Sequence, residues 1–197
     1  MRLGWPVALA IAAGCGGSRR EGVRAGTPPE LLVEVLPRAA RVSLDGRPVG
    51  PVSGPIPAPA AGGHVLAVEA AGYEPSERAL PDGELAGVRV AVALRPSGFL
   101  PARALDYDDA EGLAGAAAFL ARSGRDRDAA DYAARAAALE ARLALPRRVL
   151  GDALFRLGER ERAIAAWSEY LRLSPGAPDA AEVAARIDEA REDVTVK

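Results

Sequence analysis

The 197-residue chain has one cysteine, Cys15, one histidine, His64, and one lysine, Lys197. A single cysteine excludes an internal disulfide framework. Together with a single histidine it also excludes a Cys/His zinc site, and any Cys-His or Ser-His-Asp machinery not built on His64. Charge of one sign is lacking as well: 25 basic against 27 acidic residues leave a net charge of −2. No basic footprint for nucleic acid is present. Aromatics make up 5% of a chain that is 49% apolar, so its cores must be small units of Ala, Val and Leu. Arginine replaces lysine almost throughout, as GC-rich coding would produce, and this removes weight from the arginines as signs of anion binding.

Motifs for catalysis are also missing. Gly14-Cys15-Gly16-Gly17 lies in an apolar leader, and Gly112-Leu113-Ala114-Gly115 lacks the lysine that a phosphate loop requires. The acidic pairs Asp108/Asp109 and Asp126/Asp128 stand where helices begin, and capping explains them. His64 stands at the start of a strand, where one histidine makes no metal site. The expectation is a chain without catalytic, cofactor-binding or metal-binding residues.

At the N-terminus, Arg2 precedes an apolar run from Leu3 to Ala13, and the run ends in Ala12-Ala13-Gly14-Cys15. The run is shorter than the roughly 20 residues a membrane-crossing helix needs, and its layout is that of a targeting signal. It resembles a bacterial lipoprotein signal. The resemblance implies a signal peptide over 1–14, cleavage before Cys15, and lipidation of that cysteine. Acyl chains then anchor the protein, each buried methylene contributing about 0.8 kcal/mol. Gly16 in place of aspartate implies, by the same resemblance, the outer membrane facing the periplasm. Residues 15–30, with Gly16-Gly17-Ser18-Arg19-Arg20-Glu21 and Thr27-Pro28-Pro29, have no apolar periodicity and read as a flexible tether.

From residue 31 the apolar period is two. Leu31, Val33 and Val35 alternate with Leu32, Glu34 and Leu36 before Pro37 ends the strand. Arg41–Leu44, Asp45-Gly46 and Arg47–Val49 predict a hairpin with a type I′ turn. A Pro/Gly-rich loop covers 50–63. Further strands are expected with His64, Leu66, Val68 and Ala70 on one face, at Ser76–Leu80, and at Val88–Leu94. This spacing predicts a small antiparallel β-sandwich. The succession Pro37-Arg38-Ala39-Ala40, Val42-x-Leu44-Asp45-Gly46, Gly63-His64-x-Leu66-x-Val68 and Gly72-Tyr73 resembles the PEGA domain over residues 31–95. The resemblance implies an extracytoplasmic accessory module without catalysis of its own. Tyr73 is expected to pack in its turn.

After a linker over 96–103, the period becomes 3.6. Gly124 and Gly158, each followed by a charged helix start, recur at an interval of 34 residues. That interval is the tetratricopeptide period, and the chain's second unit resembles that family, with Leu150-Gly151, Leu154, Gly158, Ala163-Ile164, Trp167, Tyr170, Leu171 and Pro175 at its signature spacings. The first unit is degenerate, with Ala117, Ala133 and Ala136 at positions that elsewhere carry glycine or larger residues. Gly151 and Ala163 are expected to let two helices approach closely, and Trp167, Tyr170 and Leu171 to form an apolar stripe. Pro146 suits the first position of a helix. A capping helix over Asp179–Asp193 should bury Val183 and Ile187 and expose Arg186, Asp188, Glu189 and Arg191. The helical repeats thus span 104–192.

The reading that follows is a noncatalytic, lipid-anchored scaffold of the bacterial cell envelope. It binds an envelope protein or peptide through its helical repeats and the membrane through Cys15, with no nucleic acid and no cofactor. A second reading makes the β module a binder of peptidoglycan or surface polysaccharide. For that purpose the module offers one aromatic, Tyr73.

Overall fold

The computed structural model describes residues 29–49, 54–99 and 105–195. Strands come first: β1 (Glu30–Leu36), β2 (Arg41–Leu44), β3 (Arg47–Pro48), β4 (Gly54–Pro57), β5 (Val65–Glu69), β6 (Ser76–Ala79) and β7 (Arg89–Ala93). Helices follow: α1 (Ala110–Arg122), α2 (Asp126–Leu139), α3 (Ala144–Arg156), α4 (Arg160–Leu173) and α5 (Ala180–Thr195). A β region therefore precedes a helical region, as the change of period predicts.

The strands form one sheet in the order β4-β1-β7 and another in the order β3-β2-β5-β6. Leu31, Val33 and Val35 of β1, Val90 and Val92 of β7, Val42 of β2, and Leu66 and Val68 of β5 are all buried in one core between the sheets. The period-two alternation of the sequence is the alternation of these inward residues with outward ones. The expected turn is present too, with Asp45 at φ 51° and Gly46 at φ 74°, the left-handed pair that a type I′ turn needs.

Two expectations are corrected. The sandwich is not wholly antiparallel, since β1 and β7 pair in parallel, Leu32 opposite Arg89 through Leu36 opposite Ala93. Parallel neighbours need a long crossover, and the intervening chain supplies one by building the whole second sheet before returning. The Pro/Gly-rich loop also holds a strand, β4, antiparallel to β1 with Leu31 opposite Ile56. Its prolines, Pro55 and Pro57, sit at alternate positions of an edge strand. Their missing N–H groups face away from the ladder, while Ile56 faces β1 and Ala58 N donates to Pro29 at 2.8 Å.

The helices stack in sequence, each on the next, with α1 also touching α3. Gly124 (φ 71°) and Gly158 (φ 81°) end α1 and α3 in the same way. Arg125 N donates to Leu120 O and Gly124 N to Ala121 O; 34 residues later, Glu159 N donates to Leu154 O and Gly158 N to Phe155 O. This is the six-to-one and five-to-two bonding of a glycine-terminated helix, made twice. The period extends further: Glu140 N to Ala136 O and Leu143 N to Glu140 O are matched by Ser174 N to Tyr170 O and Ala177 N to Ser174 O.

Gly151 is buried under Trp167, and a Cβ there would stand within 2.8 Å of the indole Cγ, so only glycine fits. Val183, Ile187 and Ala190 bury the inner face of α5. Pro146 is the third residue of α3 rather than the first. The first turn still tolerates it, because no N–H there has a partner inside the helix. Arg186 does not simply face solvent: it reaches back to Asp152 of α3 at 3.0 Å.

The core of the sandwich runs without interruption into α1, α2 and the inner side of α3, whereas Leu154, Trp167, Tyr170, Val183 and Ile187 form a second cluster. Ala133 and Ala136, small residues of α2, are fully buried in the first of these cores. Large side chains are not needed there, because the neighbouring elements lie close on α2.

Candidate interaction site

The junction between sheets and helices is built on the Gly72-Tyr73 turn. Gly72 has φ 77°, and the turn is laced to the strand exit: Glu74 N donates to Arg95 O at 2.9 Å and Ser97 N to Gly72 O at 3.0 Å. Arg125, at the start of α2, places its guanidinium 4.2 Å from the centre of the Tyr73 ring. Its two terminal nitrogens donate to Gly72 O at 3.0 Å and Ala71 O at 3.1 Å, and Asp128 holds it from behind. One turn further along α2, the Tyr132 hydroxyl donates to Leu94 O at 2.5 Å, and its ring stacks on Tyr73 at 6.2 Å. Tyr73 is 7% exposed, so its face is not open to a sugar ring.

A second set of ion pairs ties the same elements together. Arg89 of β7 binds Glu34 of β1 and, at 3.1 Å, Asp108 ahead of α1; Asp108 also pairs with Arg135 of α2. The Arg89 and Arg135 bonds hold the Asp108 carboxyl below its ordinary value of 3.8. Tyr107 lies between the two guanidinium groups, 5.5 Å from that of Arg89 and 4.4 Å from that of Arg135. Its neighbour Asp109 caps α1 by accepting from Gly112 N. In the other acidic pair, Asp126 binds Arg156 and Asp128 binds Arg125.

Between β1 and α2 lies an open cleft of about 760 Å³, whose lining includes Leu32, Glu34, Tyr107, Asp131, Arg135 and Ala138. Of the two carboxylates in the lining, Glu34 is paired with Arg89, and Asp131 is the more weakly held. Burial pushes it above its ordinary value of 3.8, against the backbone N–H of Arg38 at 3.3 Å and a loosely held guanidinium at 3.7 Å. Leu32 is one of three large apolar side chains left exposed among the described residues, with Val65 on β5 and Leu145 at the start of α3.

The face shared by α3, α4 and α5 carries a closed polar network. Arg148 binds Asp152 and, at 2.8 Å, Asp179; Arg186 binds Asp152 and Glu182; Trp167 Nε1 donates to Asp152 at 3.0 Å; and the Tyr170 hydroxyl donates to Asp179. The Tyr170 bond, then Arg148, holds Asp179 below its ordinary value. Each carboxylate already has a partner within the network, so the network seats the last helix.

Cys15, the expected lipidation site, lies outside the described residues. Trp167 and Tyr170 are in the helical core, and His64 lies just ahead of β5, bonded to Asp45 of the hairpin turn. Sequence reasoning missed Arg125 and Arg148, because nothing local separates them from the chain's other arginines. It also missed the cleft, which exists only once β1 and α2 meet. Among the described residues no group of three His, Cys, Asp or Glu side chains is placed to hold a metal ion, and no helix is long and apolar enough to cross a membrane.

No family model matches the chain, and no curated protein matches it. Among solved structures, it is similar to a chain from the crystal structure of a T3SS complex from Aeromonas hydrophila, at 24% identity and a TM-score of 0.42. The match covers 47% of this chain and 65% of that one, so this chain spans less than two thirds of the other's length.

Proposed function

We propose that this protein is a noncatalytic scaffold of the bacterial cell envelope, held to a membrane by acyl chains on Cys15 and binding a protein partner through its helices. In this reading the β region is a PEGA-like module and the helices are two tetratricopeptide-like units with a cap. The observation that carries the reading is the 34-residue repetition of the helix-ending bonds at Gly124 and Gly158, together with the glycine under Trp167. Stacked pairs of this kind present an extended surface to a peptide or a folded partner. The junction at Arg125 supports a presenting role for the sheets, since it holds the helices to them through a bonded surface. A glycan-binding role for the β module would have to rest on residues other than Tyr73.

Capture from intact envelopes tests this, using the full lipidated chain and two single-site variants, with bound proteins and glycans both identified. Leu145→Glu alters an exposed apolar residue of the helices and Val65→Glu one of the sheets. Loss of specific proteins with Leu145→Glu alone supports the scaffold reading. Loss of a glycan with Val65→Glu alone transfers the function to the sheets. Cys15→Ser should release the protein to the soluble fraction, and unchanged membrane attachment would refute the lipid anchor.

A further inference from the structure

His64, just ahead of β5, lies between two acceptors. Its Nδ1 is 2.6 Å from Oδ2 of Asp45, and its Nε2 is 2.8 Å from the carbonyl oxygen of Ala60. Neither partner has a proton to offer. The peptide carbonyl never does, and the Asp45 carboxylate is kept ionised first by the Val65 N–H, at 2.9 Å on its other oxygen, and then by His64 itself. A neutral imidazole carries one N–H and satisfies one of these acceptors, whereas the imidazolium satisfies both. The two partners belong to different pieces of chain. Asp45 is in the turn between β2 and β3, and Ala60 is in the segment that joins β4 to β5.

Beside the ring is a cavity of about 440 Å³ lined by Leu44, Asp45, Arg47, Val49, Pro59 and His64. The charged groups around it are Asp45 and Arg47 from the hairpin, with Asp82 facing Gly63 from the segment after β6, 3.6 Å from where a Cβ on that glycine would stand.

We propose that protonated His64 is a clasp: it pins the 58–63 segment, whose Pro59 forms one wall of this cavity, to the β2–β3 turn, and losing its proton frees the segment and lets that wall move. The sign follows from the contacts. The Asp45 bond first, then the Ala60 carbonyl, raise His64 above its ordinary value of 6.5. The clasp is therefore fully closed below that value and released as pH rises through the raised one.

Because His64 is the only histidine, its titration in the full chain can be followed by NMR without assignment ambiguity. Long-range nitrogen–proton correlation of the ring should show both nitrogens protonated at low pH and a midpoint above 6.5. The backbone amides of Ala61, Gly62 and Gly63 should shift with the same midpoint. Asp45→Asn keeps a residue that tolerates the left-handed turn position, and it should move the His64 midpoint down toward 6.5. In His64→Gln the same amides should no longer follow pH. A midpoint at or below 6.5, or segment amides that stay still while His64 titrates, overturns the clasp.

Discussion

Arg125 and Tyr73 are 52 positions apart in the chain, and the guanidinium of one lies over the ring of the other at 4.2 Å. The same guanidinium donates to two backbone carbonyls of the tyrosine's own turn. One side chain at the start of α2 thus reads both the conformation of the Gly72-Tyr73 turn and its aromatic. It ties the β region to the helical pairs at the point where their shared core begins.

Arg125→Ala should remove both carbonyl bonds and the ring contact, and leave Asp128 without its main partner. Charge-assisted bonds of this sort contribute about 1.5–3 kcal/mol each at most, and the side chain is partly screened by solvent. The expected loss is about 2 kcal/mol in denaturant unfolding. Arg125→Lys should recover little of it, because an ammonium cannot reach two carbonyls and cover a ring at once. Unfolding of the variant should also become less cooperative, with circular dichroism and aromatic absorbance no longer coinciding. Coincident curves at unchanged stability would show that the junction is held elsewhere.

The two stacked tyrosines should respond oppositely to loss of their hydroxyls. Tyr132 donates to Leu94 O from a fully buried position, so Tyr132→Phe leaves a buried carbonyl unpaired and should cost about 1–2 kcal/mol. The buried Tyr73 hydroxyl makes no well-formed hydrogen bond and lies near the Asp128 carboxylate and the Tyr132 hydroxyl, so Tyr73→Phe keeps the ring under Arg125 and removes a poorly satisfied group. It should be neutral or slightly stabilising. Equal losses in the two variants, read as shifts in the urea midpoint at constant slope, would contradict this assignment.

Gly151 provides a separate test of the second helical pair. Even Gly151→Ala places a methyl against the Trp167 indole, where neither α3 nor α4 has room. Overpacking of this kind costs about 1–3 kcal/mol, and Gly151→Leu should exceed that range. Because Trp167 and the cap belong to the second cluster, hydrogen exchange should speed up in α3, α4 and α5 while the amides of β1, β5 and β7 keep their protection. Loss of protection throughout would mean that the two clusters unfold as one.

Features set by local chemistry could be read from the sequence, and features set by distant contacts could not. Gly124 and Gly158 announce their helix ends because the left-handed position after a helix favours glycine whatever surrounds it. Asp45-Gly46 announces its hairpin for a similar reason. β4 escaped because its prolines look like a loop until β1 is known to lie on one side only. Parallel pairing of β1 with β7 escaped because it depends on where the whole second sheet sits. The junction was the least legible feature: Arg125 looks like any other arginine at a repeat turn, and the alanines of α2 look like a degraded repeat until the core they are buried in is seen.

The ion pairs at Asp108 make the junction sensitive to acid. Asp108 has its folded value lowered, first by Arg89 and then by Arg135. A group of that kind contributes stability above its unfolded value of 3.8, and the contribution is lost as pH falls through the lower, folded value. Asp108→Asn should therefore lower the unfolding midpoint at neutral pH and flatten part of its fall between about pH 5 and pH 2. Asp45, Glu169 and Asp179, also lowered, retain part of the acid response. The pairs are solvent-exposed, so added salt should narrow the gap between the two proteins at neutral pH. Both midpoints, measured by circular dichroism across that range at low and high salt, give the comparison. An Asp108→Asn profile parallel to that of the unaltered protein at every pH would show that the carboxylate carries no linkage, and that Arg89 and Arg135 hold the junction through Tyr107 and Glu34 instead.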